Sequence, residues 1–263
     1  MIRSSIIVLC ICHCSVVFAQ PGALDPAFNG LGYLTTPIGN GDDVAQAMVV
    51  QPDGKIVLAG YTNAGAGDHF ALCRYNVDGT LDESFSDDGK QITTFFNGDE
   101  RIAAAILQPD GKILVAGYVI VSQGSDFALA RYLPDGTLDE TFSGDGMAST
   151  NIGGLFDNAY AIALQADGSI LVAGIYGKNT ESDFALVRYK SDGSLDNTFG
   201  QNGIATLSFG PFYDNAQAIA IQPDGKIVLA GFTKVASDYD FALARFNDDG
   251  TPDSGFGVNG KVI

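Results

Sequence analysis

The chain has 263 residues, 46% of them hydrophobic, and carries 14 Lys and Arg against 31 Asp and Glu for a net charge of −17. Such a field repels nucleic acid and anionic membrane surfaces and favours cations or basic partners. The apolar content is high and regularly placed, which excludes a disordered chain.

Residues 1–19 differ from everything after them. Arg3 is the only charge before an apolar run from Ile6 to Phe18, and Val17-Phe18-Ala19 precedes Gln20. This is the pattern of a signal peptide with a small-residue cleavage site, so the mature chain, residues 20–263, is expected to be secreted or held at the cell surface. The run is shorter than the roughly 20 residues a spanning helix requires, and no later stretch approaches that length, so no membrane span is expected. Cys10, Cys12 and Cys14 flank His13 in a metal-like cluster, but inside a segment that processing removes. Acylation of one of them is the weaker reading, because the residues before each are not small. Cleavage leaves Cys73 as the only cysteine, so stability has to come from a packed core rather than a disulfide.

From Leu24 onward the chain repeats itself. QPDGKIVLAG at 51–60 recurs as QPDGKILVAG at 108, QADGSILVAG at 165 and QPDGKIVLAG at 222, and FALCRY at 70–75 recurs as FALARY, FALVRY and FALARF at the same offset. Each step is 57 residues, with no insertion or deletion. Taken in order, the first unit predicts strands over 33–38, 44–51, 55–61 and 69–76. The third is apolar on both faces, as in a sheet covered on both sides. Asp53-Gly54 marks the hairpin between the second and third. Alanine fills one slot of the second strand in every copy, at Ala47, Ala104, Ala161 and Ala218, which suits sheets that converge. The units fall at about 33–89, 90–146, 147–203 and 204–260, with a stub of a fifth at 261–263.

Four antiparallel strands per unit, covered on both faces and repeated in tandem, predict an all-β fold, a β-propeller of four 57-residue, four-stranded blades. Phe28 and Phe256 occupy one slot four periods apart, so the strand at 33–38 and the stub at 261–263 contend for one place. Four blades are therefore expected to form part of a larger or incomplete ring, completed by further repeats or by a second chain. Through QPDGKIVLAG, FALxRY and DGTLDxxF the chain resembles the delta-60 repeat family of uncharacterised bacterial propeller-forming repeats. The resemblance covers residues 24–263 and implies propeller architecture and secretion; it implies no particular activity.

Several recurring residues are candidates for a site. Arg74, Arg131, Arg188 and Arg245 occupy one slot, and Asp82, Asp139, Asp196 and Asp253 follow eight residues later. A charge pair in each blade is a structural device, since a ligand site is normally unique. A calcium loop built on Asn76, Asp78 and Asp82 is disfavoured because Leu133 and Lys190 take the place of Asn76 in two copies. Cys73 aligns with Ala130, Val187 and Ala244 and reads as a small core residue. His69 stands where other copies carry Asp126, Asp183 and Asp240, and no nucleophile elbow, zinc-protease helix motif or phosphate-binding loop is present.

Recognition is expected on the face whose loops vary. One loop per blade reads TNAGAGD, VIVSQGS, YGKNTES and TKVASDY, and the neighbouring loop gains Phe156 in the third copy and Phe212 with Tyr213 in the fourth. That face is also expected to carry one acid per blade at Asp43, Glu100, Asp157 and Asp214; these are read first as solvating the face and bonding to their own turn backbone, and in the alternative as a ring for a divalent cation such as calcium or for a basic partner. The function expected is a non-enzymatic binding or scaffold propeller with no required cofactor and an extracellular protein or glycan as partner. A secreted carbohydrate-active or other hydrolase using loop carboxylates is the alternative.

Overall fold

The computed structural model describes residues 22–65, 67–96, 99–122 and 124–263. The expected signal peptide and Cys10, Cys12 and Cys14 lie outside the described residues. Among the described residues there is no helix, and hence none long and apolar enough to cross a membrane.

Sixteen strands form four antiparallel sheets of four. The first contains β1 (Asp43–Val50), β2 (Ile56–Asn63), β3 (Asp68–Tyr75) and β4 (Lys90–Thr93). The second contains β5 (Glu100–Leu107), β6 (Ile113–Val121), β7 (Gly124–Tyr132) and β8 (Met147–Thr150). The third contains β9 (Phe156–Leu164), β10 (Ile170–Gly177), β11 (Ser182–Tyr189) and β12 (Ile204–Leu207), and the fourth β13 (Asp214–Ile221), β14 (Ile227–Val235), β15 (Asp238–Phe246) and β16 (Lys261–Val262). A one-pair parallel contact, Ser125 with Phe156, links the second sheet to the third.

The strand grouping is shifted from the one expected. The segment read as the first strand of each unit is instead the fourth strand of the preceding blade, with Phe70 opposite Thr93, Phe127 opposite Thr150 and Phe184 opposite Leu207. Residues 33–38 accordingly have no sheet of their own to join, and they take no strand conformation. The stub at 261–262 pairs with β15 and completes the fourth blade.

Local chemistry accounts for the strand ends. Gly54, Gly111, Gly168 and Gly225 all adopt φ between 84° and 88°, which lets β1–β2 and its equivalents close in tight hairpins. The first strand of each sheet carries a register shift, between Ala45 and Ala47, Ile102 and Ala104, and Ala216 and Ala218, with the same irregularity opposite Ala173 and Gly174. A bulge at this point adds twist to the sheet.

Consecutive blades bury apolar faces against each other. The trailing face of the first blade (Val57, Ala59, Phe70, Leu72) packs on the leading face of the second (Ile102, Ile113, Val115, Ala130, Tyr132). Phe127 and Leu129 then meet Ile170, Val172 and Tyr189, and Phe184 and Leu186 meet Ile227, Leu229 and Phe246. Among the described residues, extensive packing of this kind does not join the last sheet to the first.

Each blade also holds one arginine beside an aspartate and over a phenylalanine. The Nε to Oδ2 distances are 2.6 Å for Arg74 and Asp82, 2.8 Å for Arg131 and Asp139, 2.8 Å for Arg188 and Asp196, and 2.7 Å for Arg245 and Asp253. The guanidinium carbons lie 4.5–4.8 Å from the rings of Phe85, Phe142, Phe199 and Phe256. In the first three blades the arginine also donates to a carbonyl in the following unit, at Pro134, Ser191 and Asp248.

Candidate functional site

The variable loops share one face of the molecule and are bonded to one another across blades. The amide of Asp68 donates to Asp99 Oδ1 at 2.9 Å, that of Ser125 to Leu155 O at 3.0 Å and that of Ser182 to Phe212 O at 3.3 Å. Each β2–β3-type loop therefore abuts the connection that enters the next blade.

The recurring acids on this face bond to the backbone of their own turns, as expected, but they are turned inward rather than solvating the face or displayed as a ring. Asp43 accepts the amides of Ile38 at 2.8 Å and Gly39 at 3.1 Å and the Thr62 hydroxyl at 2.5 Å. Glu100 accepts the amides of Phe95 and Phe96 at 2.8 and 2.7 Å. Asp157 accepts those of Ile152 and Gly154 at 2.9 and 3.1 Å, and Asp214 that of Phe209 at 2.6 Å with the Thr233 hydroxyl at 2.5 Å. Glu100, Asp157 and Asp214 are fully buried. The physical reason is the loop itself, whose amides have no ladder partner and require an acceptor once covered. Among the described residues no group of three His, Cys, Asp or Glu is arranged to hold a metal ion.

The neighbouring acids have separate fates. Asp126 accepts from the Asn151 side chain at 2.7 Å, Asp183 accepts from Lys178 Nζ at 3.3 Å, and Asp240 is exposed. His69 is buried, with Nδ1 3.7 Å from Glu100 Oε2 and 3.4 Å from the Thr94 hydroxyl. Glu100 Oε2 has no hydrogen-bond partner. Sequence reasoning missed this pairing, although the His69 substitution in an otherwise acidic slot was its signal.

What the face does present is aromatic. Phe156, Phe212 and Tyr213 are exposed, as is Leu155. The β10–β11 loop carries Lys178, whose Nζ lies 5.0 Å from the Tyr176 ring centre and 3.5 Å from Glu181. A shallow depression of about 280 Å³ is lined by Gly153, Gly154, Leu155, Lys178 and Asn179. Thus the third and fourth blades bring a cation and exposed rings together, while Cys73 and the four Arg–Asp pairs lie away from this face in packed surroundings.

The aspartates of the arginine pockets and two of the loop face, Asp157 and Asp214, titrate in opposite directions, while Asp43 of the loop face is lowered like the former. Burial tends to raise Asp139, but hydrogen bonds from Thr141 and Lys112 and the Arg131 charge outweigh it and hold it at about 2. The Lys226 hydrogen bond is the main cause that brings Asp253 to about 2, and Asp82 is held lower still by its own lysine, Lys55, against the effect of burial. Asp157 and Asp214 are instead pushed up by burial, which their hydrogen bonds only partly offset. Carboxyls lowered by folding stabilise the fold fully above their ordinary value of 3.8 and lose that contribution as pH falls towards 2. The raised pair runs the other way and recovers on acidification. Because the lowered group is larger, melting temperature should fall between about pH 5 and about pH 2; an unchanged melting temperature across that interval would remove the stabilising role of the pairs.

Comparison with known proteins places this architecture. Residues 51–85, 108–142, 165–199 and 222–256, 140 of the 263, match the family model described as "Domain of unknown function (DUF5122) beta-propeller". The chain belongs to the DUF5122 beta-propeller family. The matched segments run from each hairpin through the phenylalanine under the arginine, so the family's shared residues are those of β2, β3 and the arginine pocket. None of the curated proteins compared matches the chain. Among solved structures it is similar to Bacillus subtilis arabinanase Arb43A, with 11% identity over 83% of this chain and 78% of that one and a TM-score of 0.40. It is also similar to a Bombyx mori beta-fructofuranosidase, with 13% identity over 78% of this chain and 50% of that one and a TM-score of 0.41. A third is Drosophila Semaphorin 1b, extracellular domains 1–2, with 15% identity over 77% of this chain and 40% of that one and a TM-score of 0.36. The chain spans half the second protein and two fifths of the third.

Proposed function

We propose that this DUF5122 propeller is a secreted, non-enzymatic binding or scaffold protein that recognises an extracellular glycan or protein through its variable loop face. The observation that carries the reading is the contrast between loops. The hairpins and arginine pockets are nearly the same in every blade, whereas Phe212 and Lys178 occur in single copies and Phe156 and Tyr213 share a slot that is Asp in the first two, and the β10–β11 hairpin that carries Lys178 pairs with Phe156 on one side and Tyr213 on the other. Rings on a rigid scaffold suit stacking on sugars or on peptide side chains, and the lysine suits an anionic group.

The hydrolase alternative draws on the raised carboxyls Asp157 and Asp214, since a raised carboxyl is the form a general acid takes. Both are sealed beneath the loops they brace, which favours the binding reading. A glycan and protein array probed with the secreted chain, with hydrolysis of any bound glycan followed in parallel, tests the two together. Joint replacement of Phe212 and Tyr213 by Ala should weaken binding to an array hit at least tenfold, about 1.4 kcal/mol, and leave the melting temperature within about 1 °C. Full binding by that variant would place recognition elsewhere, and turnover of a glycan would establish the enzyme.

A further inference from the structure

The first strands of the sheets, β1, β5, β9 and β13, lie against one another and form the inner edge of the arc. Their N-terminal ends open on the face of the variable loops. Where the first three blades meet at this rim, the repeat is broken. Arg101 stands in the slot of Val44, Asn158 and Asn215, and Tyr160 in the slot of Gln46, Ala103 and Gln217. Tyr61 and Tyr118 share a slot that becomes Ile175 and Phe232 in the later copies. The three tyrosines are half-buried, and all of these residues lie at junctions between blades of this one chain.

Each side chain is placed by its strand. Arg101 is the direct cross-strand neighbour of Tyr118 in the second blade. Its guanidinium reaches to the first blade, where Nε and Nη2 both meet Asp68 Oδ2, at 2.8 and 2.6 Å, and Cζ lies 4.6 Å from the centre of the Tyr61 ring. The Arg101 side chain is still 42% exposed, so part of its donor fork faces solvent. Tyr160 is the extra residue of the bulge between Ala159 and Ala161, and a bulge re-aims its side chain off the ladder. Its hydroxyl accepts from Asn158 Nδ2 at 3.3 Å, and the Ser125 hydroxyl of the second blade donates to Asn158 Oδ1 at 2.6 Å. Burial raises the Tyr118 phenol above its ordinary value, Arg101 partly offsets that, and Tyr160 and Tyr61 act on the same group. The three phenols and the guanidinium are therefore neighbours.

We infer that Tyr61, Arg101, Tyr118 and Tyr160 form a subsite for a neutral sugar at the inner rim of the loop face, an assignment that rests on the binding function proposed above and narrows its ligand to an uncharged glycan. A sugar ring has an apolar C–H face, which stacks on an aromatic ring. Its hydroxyls take phenols as donors or acceptors and a guanidinium as donor. Charge decides against an acidic glycan, because Asp68 already neutralises Arg101 and the chain's net charge of −17 repels polyanions. A peptide would anchor an apolar or aromatic side chain in a desolvated pocket, whereas every ring here carries a hydroxyl beside a cation.

The chain has no tryptophan, so its ultraviolet emission comes from tyrosine and a sugar seated on these rings should change it. Titration with neutral hexasaccharides of glucose, galactose, mannose and arabinose should give a saturable change with at least one of them, and hexagalacturonate should bind more weakly than that hexamer. Arg101→Asn, Tyr118→Ile and Tyr160→Gln each install the residue that another copy carries in the same slot. Each should weaken the neutral hexamer by about tenfold or more, and Tyr160→Gln should leave the melting temperature unchanged. A hexamer bound equally well by all three variants but lost on joint replacement of Phe212 and Tyr213 by Ala would overturn the subsite and leave the binding function standing. Tighter binding of hexagalacturonate than of every neutral hexamer, or a protein partner with no saccharide bound, would likewise overturn the subsite alone. Turnover of a hexamer whose binding depends on Tyr160 would uphold the subsite and remove the non-enzymatic reading instead.

Discussion

Replacing Arg131 with Ala should lower the stability of the fold by about 3–5 kcal/mol, the cost of removing one partner from a buried ion pair. Arg131 and Asp139 are each at most 5% exposed. The guanidinium does four things at once. It pairs with Asp139, donates to the Thr141 hydroxyl at 3.1 Å, donates to Ser191 O of the following unit at 2.5 Å and covers the Phe142 ring. Alanine strands the Asp139 carboxylate with only Lys112, 3.1 Å away, and the local Thr141 hydrogen bonds. For a chain of this size the loss corresponds to a drop in melting temperature of roughly 10 °C. Lysine should rescue little, because a single ammonium cannot reach three acceptors in a planar fork. The same change at Arg245, whose side chain is 21% exposed, should cost less. Removing both charges with Arg131→Met and Asp139→Leu should recover much of the loss in urea unfolding; a double variant no better than the single would show that packing over Phe142, rather than the stranded charge, carries the effect.

Gly117→Ala should be at least as damaging, for a steric reason. A methyl group at Gly117 would lie 1.9 Å from the carbonyl oxygen of Arg101 and 2.9 Å from the Ile102 Cα, both main-chain atoms that no rotamer change can move. The bulge between Ile102 and Ala104 brings that strand close to the sheet here, and Gly60, Gly174 and Gly231 meet the equivalent carbonyls at 1.8–1.9 Å. Overpacking against flexible side chains costs about 1–3 kcal/mol; against backbone the cost should exceed that range, and little folded protein is expected to accumulate. Gly210→Ala has open space around it and should leave expression and melting unchanged. A folded, stable Gly117→Ala protein would mean that the bulge can slide.

The strands, their number and their hairpins were legible in the sequence because each is local. QPDGK bends the chain at one place, and alternation within IVLAG declares two covered faces. Phase was not legible. A perfectly periodic chain states the length of its unit but not where a sheet begins, and that is decided by pairing across the DGTLDxxF connection, as when Ala71 takes Ile92 rather than a residue of its own unit. The burial of the acids of the loop face was not legible for a related reason. A recurrent Asp in a loop looks the same in sequence whether it faces solvent or curls back on its own amides, and only burial at Asp157 and Asp214 separates the two. The lysines of DGK went unremarked, yet Lys55, Lys112 and Lys226 each bridge to the aspartate of the arginine pocket, whereas the third copy carries Ser169 in that slot and Asp196 lacks the bridge.

The links made by the arginine pockets point one way along the chain. Arg74, Arg131 and Arg188 each reach forward to a carbonyl about one period ahead, and Phe85, Phe142 and Phe199 each lie beneath a glycine of the next turn, at Gly136, Gly193 and Gly250. Every unit thus carries a plug on its C-terminal side and the matching socket on its N-terminal side. An in-frame tandem duplication of 57 codons delivers a new member whose plug and socket already fit its neighbours. The number of blades can then drift by unequal recombination without any compensating change elsewhere, and uniform spacing is what such growth would leave behind.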